Sequence, residues 1–207
     1  MSLRRVVLLR HGQTDHNVDG RMQGHVDSRL TATGHAQAAQ AAPELARFKP
    51  ARLLSSDLSR AADTAREIAS ATGRPVEFDA RLRETDLGLW GGRSILEIEH
   101  DMPGAIAQWR SDPAWRPPGG ETRVEVVARA LPVVAELDVE YAEDEADVTV
   151  MLVAHSGVIA GMVSGMLDLP RTVWPSIGGM GNARWAVLTR RSDHPRWRLT
   201  GYNMGLS

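Results

Sequence analysis

Three segments of the chain set histidine or arginine just beyond short apolar runs. Residues 6–9 lead into Arg10-His11-Gly12, residues 52–55 into Ser56-Asp57-Leu58-Ser59-Arg60, and residues 148–153 into Ala154-His155-Ser156-Gly157. Arginine presents planar, paired N–H donors that match phosphoryl oxygens, so Arg10 and Arg60 suit a phosphate clamp. Histidine is a nucleophile through one ring nitrogen when a hydrogen bond holds the other. Nearby arginines disfavour the imidazolium and keep such a histidine neutral. A second histidine, protonated or donating, would stabilise charge on the equatorial oxygens of the group in transfer. The leaving oxygen then needs a proton. Glu84, in Arg81-Leu82-Arg83-Glu84-Thr85-Asp86-Leu87-Gly88, is the best-placed acid. Asp86 competes for the role, because residues two apart share one side of an extended segment.

These segments meet only if the runs before them are neighbouring strands. Residues 6–9 form a continuous apolar run with β-branched content, which predicts a buried strand. Residues 52–55 and 76–78 predict two more, and 148–153 the central one. Residues 183–188 and 196–202 predict a late pair, a hairpin at the sheet edge. Helical patterning covers 31–48, capped at Thr31 or Thr33 and kinked at Pro43. It also covers 57–71, with Asp57 near the N-cap and Gly73 past the end, then 121–141 and 156–167. Around residues 88–120, Gly, Pro and Trp alternate with short helical stretches at 94–100 and 104–110, the pattern of an inserted cap. The fold expected is α/β, a doubly wound, mostly parallel sheet flanked by helices, in a single domain over 1–207. Ligands of such sheets bind beyond the carboxyl ends of the strands. There the helix starting near Ser156 would offer a dianion its backbone N–H groups and positive dipole end.

The 207 residues carry 24 basic and 26 acidic side chains, a formal charge of −2, and no cysteine. The missing cysteine excludes a disulfide framework, a thiolate zinc site, an iron–sulfur cluster and a cysteine nucleophile. The charge balance argues against a nucleic-acid partner. It still admits a small anionic substrate in a locally positive pocket. The apolar run after Arg5 is too short for a signal-peptide core or a membrane span, and no later run reaches spanning length. A cytoplasmic protein with no membrane partner is therefore expected.

Leu9-Arg10-His11-Gly12-Gln13-Thr14-Asp15-His16-Asn17 resembles the signature of the histidine phosphatase superfamily, the phosphoglycerate-mutase-like fold. Further segments match in order: Ser55-Ser56-Asp57-Leu58-Ser59-Arg60-Ala61, Leu82-Arg83-Glu84 with Gly88-Leu89-Trp90-Gly91-Gly92, and Val153-Ala154-His155-Ser156-Gly157. Four ordered segments at strand ends and turns are far more specific than a bare Arg-His-Gly. The resemblance implies that His11 becomes a phosphohistidine and that Arg10, Arg60 and His155 bind the phosphoryl group. It implies that Glu84 protonates the leaving alcohol and then serves as base for water. It adds a phosphate contact from Asn17 and requires no metal or cofactor.

Within the family, Arg21-Met22-Gln23-Gly24, residues 103–110, Gly119-Gly120-Glu121 and residues 174–183 are similar to a branch that dephosphorylates glucosyl-3-phosphoglycerate. By analogy that likeness implies a homodimer, while the edge strands and the cap suit a monomer equally. Asn17 and Gln23 are read as substrate ligands rather than simple turn residues. The chain departs from the branch at 142–147 and near its C-terminus, and Ser94-Ile95-Leu96 changes the cap. The alternatives are a broad sugar-phosphate phosphatase, a phosphoglycerate mutase and a non-catalytic phosphate sensor. The reduced cap speaks against the mutase. The presence of both nucleophile and acid speaks against the sensor.

Trp90, Trp109, Trp115 and Trp174 lie in or beside loops, where they either pack the cap or line a sugar site. Gly178-Gly179-Met180-Gly181 lacks the spacing of a dinucleotide loop and is expected to form a flexible rim of the pocket. His16 and His25 are near the Arg10-His11-Gly12 core of the first motif, and a solvent-facing place suits them nearly as well as the site. His35, His100 and His194 are expected at the surface.

Overall fold

The computed structural model describes residues 3–142, 146–192 and 196–205. Every run expected to be a strand is one: β1 Leu3–Arg10, β2 Arg52–Ser55, β3 Val76–Phe78, β4 Val148–Ala154, β5 Trp185–Arg190 and β6 Trp197–Met204. They form a sheet in the order β3-β2-β4-β1-β5-β6. The first four of these neighbours run parallel, and β5 and β6 complete the edge as antiparallel strands. Every residue of β4 is buried, as expected of a strand covered on both faces.

The helices are α1 Asp15–Val18, α2 Ala32–Ala46, α3 Ser59–Thr72, α4 Ile95–Asp101, α5 Ala105–Ser111, α6 Arg123–Glu140 and α7 Ser156–Met166. The two-residue alternation of the strands sorts the core into two layers. On one face Val7, Leu9, Leu53, Met151 and Val153 pack with Ala41 and Leu45 of α2 and Ala65 and Ile68 of α3. On the other, Leu8, Leu54, Val150 and Leu152 pack with Val126 and Val134 of α6 and Val158 and Ile159 of α7. Each fully buried side chain of this size contributes roughly 1.5–3 kcal/mol. The strand ends are therefore held from both sides, and the polar residues just beyond them inherit fixed positions. Among the described residues, no helix is long and apolar enough to cross a membrane.

The cap consists of a 3₁₀ turn at Gly88–Trp90 followed by α4 and α5. It has a small core of its own in Leu87, Trp90, Ile98, Ala105 and Ile106, with Trp109 and Trp115 packed against it. Trp90 is fully buried and meets the edge of Trp109 at 6.1 Å and the ring of Trp115 at 5.2 Å.

Thr31 caps α2 by accepting the Gly34 N–H at 3.0 Å. Asp57 lies beside the N-cap of α3, as expected, but does not itself cap the helix, which starts at Ser59. The N-cap is Leu58, which has no side-chain acceptor. The carboxylate of Asp27 supplies one instead, accepting from both the Ser59 N–H and the Ser59 hydroxyl. Asp57 turns the other way and pairs with both prongs of Arg83. His35 and His100 are exposed; His194 lies outside the described residues.

Candidate active site

The parallel register brings the three motif-bearing strand ends side by side. Arg10 of β1 stands opposite Ala154 of β4, and Ser55 of β2 opposite Val153. The ladder continues past the strands, with the His11 N–H donating to Ala154 O at 3.1 Å and the Ser56 N–H to Val153 O at 2.9 Å. His11 and His155 are therefore neighbours, their ring centroids 5.2 Å apart.

Both histidines are buried. The Nδ1–H of His11 donates to the carbonyl of Gly12 at 2.7 Å, which fixes the tautomer and leaves the Nε2 lone pair free for attack. Gly12 is pinned in turn, its N–H donating to Thr64 Oγ1 at 3.0 Å. It also lies so close to α2 that an added Cβ would sit 2.4 Å from the carbonyl oxygen of Gly34. Asn182 braces the same turn through its amide nitrogen, 3.1 Å from Gly12 O and 3.0 Å from Asn17 Oδ1.

Arg60, at the start of α3, is fully buried. Its Nε–H donates to His155 Nδ1 at 3.2 Å, and its outer nitrogens hold the carbonyls of Val26 and Gly24 at 3.1 and 2.7 Å. Since His155 Nδ1 accepts, its Nε2 carries the proton and donates to Ser56 Oγ at 2.9 Å. Burial pushes the Arg60 guanidinium down to about 10, still charged at neutral pH. Arg10 is oriented by the carbonyl of Met180, and its Nε is buried without a partner. Buried N–H groups are normally paired, so this one is a donor available to a ligand in the cavity that Arg10 lines.

Burial, with Arg10 and Arg60 adding positive charge, holds His11 well below the ordinary histidine value. Burial and Arg60 do the same to His155. This corrects one alternative drawn from the sequence: the second histidine is neutral, not protonated. A stability effect follows. The unfolded histidines titrate near 6.5, so below that pH the unfolded chain binds more protons than the native one. Stability present above about pH 6.5 is lost as pH falls toward the depressed native values. Asp57 and Asp79 are also depressed, by hydrogen bonds from Arg83 and Arg81 respectively, but they act only below about pH 4. The urea midpoint is therefore expected to drop between about pH 7.5 and pH 5; equal midpoints would contradict the two neutral buried imidazoles.

The Glu84 carboxylate is seated on the N-terminus of α7. Its Oε2 accepts the Gly157 N–H at 2.9 Å, and its Oε1 accepts those of Val158 at 3.0 Å and Thr85 at 2.9 Å. The sequence assigned these helix N–H groups to the incoming dianion. They hold the catalytic carboxylate candidate instead. Asp86, the competitor, accepts the Gly88 N–H and does not reach the cavity. Gly157 is required here, because a Cβ would lie 2.5 Å from Glu84 Oε1. Gly157→Ala is expected to leave the helix folded and to lower kcat about 100-fold by displacing the carboxylate. Steady-state kinetics beside a thermal melt checks this.

His11, Arg10, Arg60, Glu84, Asn17 and Gln23 all line one cavity of about 540 Å³. His155 stands behind that wall with both nitrogens engaged. Gln23 Oε1 accepts from Ser28 at 2.5 Å, and Asn17 closes a capping box with Thr14. Five arginines and one carboxylate line the cavity, so it is positive although the chain is not. The tryptophans divide between the two expectations: Trp109 and Trp174 reach the cavity, whereas Trp90 and Trp115 pack the cap.

A model of the histidine phosphatase superfamily (branch 1) matches residues 6–203. Glucosyl-3-phosphoglycerate phosphatase of Mycobacterium tuberculosis is 48% identical over 98% of this chain and 96% of its own length. The chain belongs to the histidine phosphatase superfamily. The structure of a mycobacterial glucosyl-3-phosphoglycerate phosphatase solved with VO3 superposes with a TM-score of 0.91 at 49% identity, covering 97% of this chain and 99% of that one. The α-ribazole phosphatase of Shigella flexneri aligns with a TM-score of 0.81 at 26% identity, over 97% and 96% of the two chains.

Within this superfamily framework several residues escaped the sequence reading. Ser56 acts through its hydroxyl inside a motif whose charged members drew attention, and Thr64 acts through its own one helical turn beyond that motif. Arg110 and Arg123, from the cap and the start of α6, line the cavity without a carboxylate partner among the described residues. The rim at 178–181 also departs from expectation. It borders the cavity but is tied down by Ser156 Oγ, Asn203 Oδ1 and the Tyr202 hydroxyl. His16 pairs with Asp15, whereas His25 donates to the Glu84 carbonyl at 2.8 Å.

Proposed function

We propose that this phosphatase hydrolyses its monoester through a phosphohistidine on Nε2 of His11, and that its substrate is glucosyl-3-phosphoglycerate. The observation that carries the mechanism is a neutral, Nδ1-tethered His11 beside the buried Arg60 and the half-buried Arg10, both lining the cavity with no salt-bridged carboxylate among the described residues. The Nε2 lone pair attacks phosphorus while the ester P–O bond breaks. Protonated Glu84 gives its proton to the leaving oxygen. The ring gains positive charge, which the Nδ1–H bond to Gly12 O stabilises. Arg10 and Arg60 meet the charge of the transferring group, where preorganised donors count most. His155 reaches a phosphoryl oxygen by exchanging Ser56 for it, and Asn17 and Gln23 present their amides to the ligand. In the second step Glu84 takes a proton from water, the water oxygen bonds to phosphorus, and the P–N bond breaks.

The substrate reading rests on relatives named as glucosyl-3-phosphoglycerate phosphatases and on the rest of the cavity. Its volume exceeds what a phosphate needs. Arg110 and Arg123 offer charge for a second anionic group such as a carboxylate, and Trp109 and Trp174 offer faces for a sugar. Phosphate release from glucosyl-3-phosphoglycerate, 3-phosphoglycerate and simple sugar phosphates, without added metal, tests it. A kcat/KM preference of at least about 100-fold, about 3 kcal/mol of transition-state binding, is expected. A flat profile would overturn the substrate and keep the mechanism.

A further inference from the structure

Residues 83–87, which carry Glu84, belong to no helix or strand, so no backbone ladder fixes them. The segment is held instead by side chains: His25 Nε2 donates to the Glu84 carbonyl at 2.8 Å, Arg83 pairs with Asp57, and one guanidinium from α6 spans three carbonyls. Arg129 Nη1 donates to the carbonyls of Arg81 and Arg83 at 2.7 and 2.9 Å, and Nη2 donates to that of Glu84 at 2.8 Å. The remaining N–H groups, on Nε and Nη2, each lie 2.9 Å from a carboxylate oxygen of Glu121. All five N–H donors of the guanidinium are therefore engaged. Glu121 completes the brace, accepting the Asp86 N–H at 2.9 Å and donating its own N–H to Asp86 O at 2.8 Å. Neither Arg129 nor Glu121 lines the cavity.

We propose that Arg129, braced by Glu121, is a positioning residue for the acid–base carboxylate of Glu84. It fixes the peptide on one side of Glu84, while the N-terminus of α7 fixes the carboxylate on the other. Three carbonyls held from one planar fork set the direction of the Glu84 side chain. Lysine has three donors on a single atom and cannot reproduce that geometry. The proposal rests on the role assigned to Glu84 above, and the test separates the two.

The test compares substrates that do and do not need a proton on the leaving oxygen. An alkyl phosphate leaves as an alkoxide unless protonated, whereas 2,4-dinitrophenyl phosphate leaves as a stabilised phenolate. In Arg129→Met and Arg129→Lys, kcat/KM for the best alkyl phosphate is expected to fall about 100-fold, and that for the dinitrophenyl ester by no more than about threefold. Inhibition by inorganic phosphate is expected to stay unchanged, because Arg10, His11 and Arg60 are untouched. Should neither variant fold by circular dichroism, Glu121→Gln is expected to give the same selective loss, about tenfold. An equal loss on both esters, or no loss, would overturn the proposal. Glu84→Gln is the control. If it shows the selective loss and the Arg129 and Glu121 variants do not, the positioning role alone fails. If Glu84→Gln also lacks selectivity, the acid–base assignment fails and the proposal falls with it.

Discussion

Replacing His11 by alanine is expected to lower kcat by at least about 10⁴-fold, the scale of losing a covalent nucleophile. No other group is set to replace it. His155 has Nδ1 held by Arg60 and Nε2–H on Ser56, so neither nitrogen is free to attack. Phosphate affinity is expected to survive, because Arg10 is oriented by Met180 O and Arg60 by the carbonyls of Gly24 and Val26, not by the His11 ring. Steady-state kinetics beside calorimetric titration with inorganic phosphate separates the two quantities. Retained turnover, or turnover and phosphate binding lost together, would contradict the assignment.

Arg60→Ala is the second large effect. Two consequences compete, and their magnitudes separate them. Removing the guanidinium leaves the Gly24 and Val26 carbonyls and His155 Nδ1 without their donor, each worth about 1–3 kcal/mol if it stays dry. Water entering the vacated space and the relieved burial of a charge offset part of that, so a net loss of about 2–4 kcal/mol is expected. The catalytic loss is expected to reach about 10³-fold in kcat/KM, because a preorganised donor to the developing charge disappears. The mechanism requires that loss to persist under conditions where the variant is fully folded. Arg60→Lys is expected to recover stability better than activity, since an ammonium restores charge without the fork. Urea unfolding and kcat/KM on the same preparation check both. Activity within tenfold of the native protein would contradict a phosphate-binding Arg60.

Much of the site was legible because it sits where periodic patterns stop. A buried parallel strand is a run of apolar residues, and the next polar residue stands at its carboxyl end. That logic placed His11, Arg60 and His155 together and gave β2 its limits. The family motif then separated Glu84 from Asp86, which alternation alone could not do. What stayed hidden was the set of bonds between side chains and distant backbone. Glu84 meets the α7 N–H groups across 73 residues, Arg129 meets the Glu84 carbonyl across 45, and Asp27 caps α3 across 32. Such bonds satisfy orphaned N–H and C=O groups and leave no repeat in the sequence. The helix dipole at Ser156 was correctly expected to attract a negative group; the sequence did not show that the chain supplies one itself.

The central claim is covalent transfer to His11, and trapping the intermediate tests it most directly. The enzyme is mixed with a dinitrophenyl phosphate ester, quenched within a turnover under alkaline conditions where phosphohistidine survives, digested, and read by mass spectrometry. The account predicts one phosphoryl group on the peptide containing His11, absent from His11→Ala. A phosphoryl group on another residue would contradict it. So would phenolate release in step with phosphate release, with no burst and no phosphoenzyme at any time.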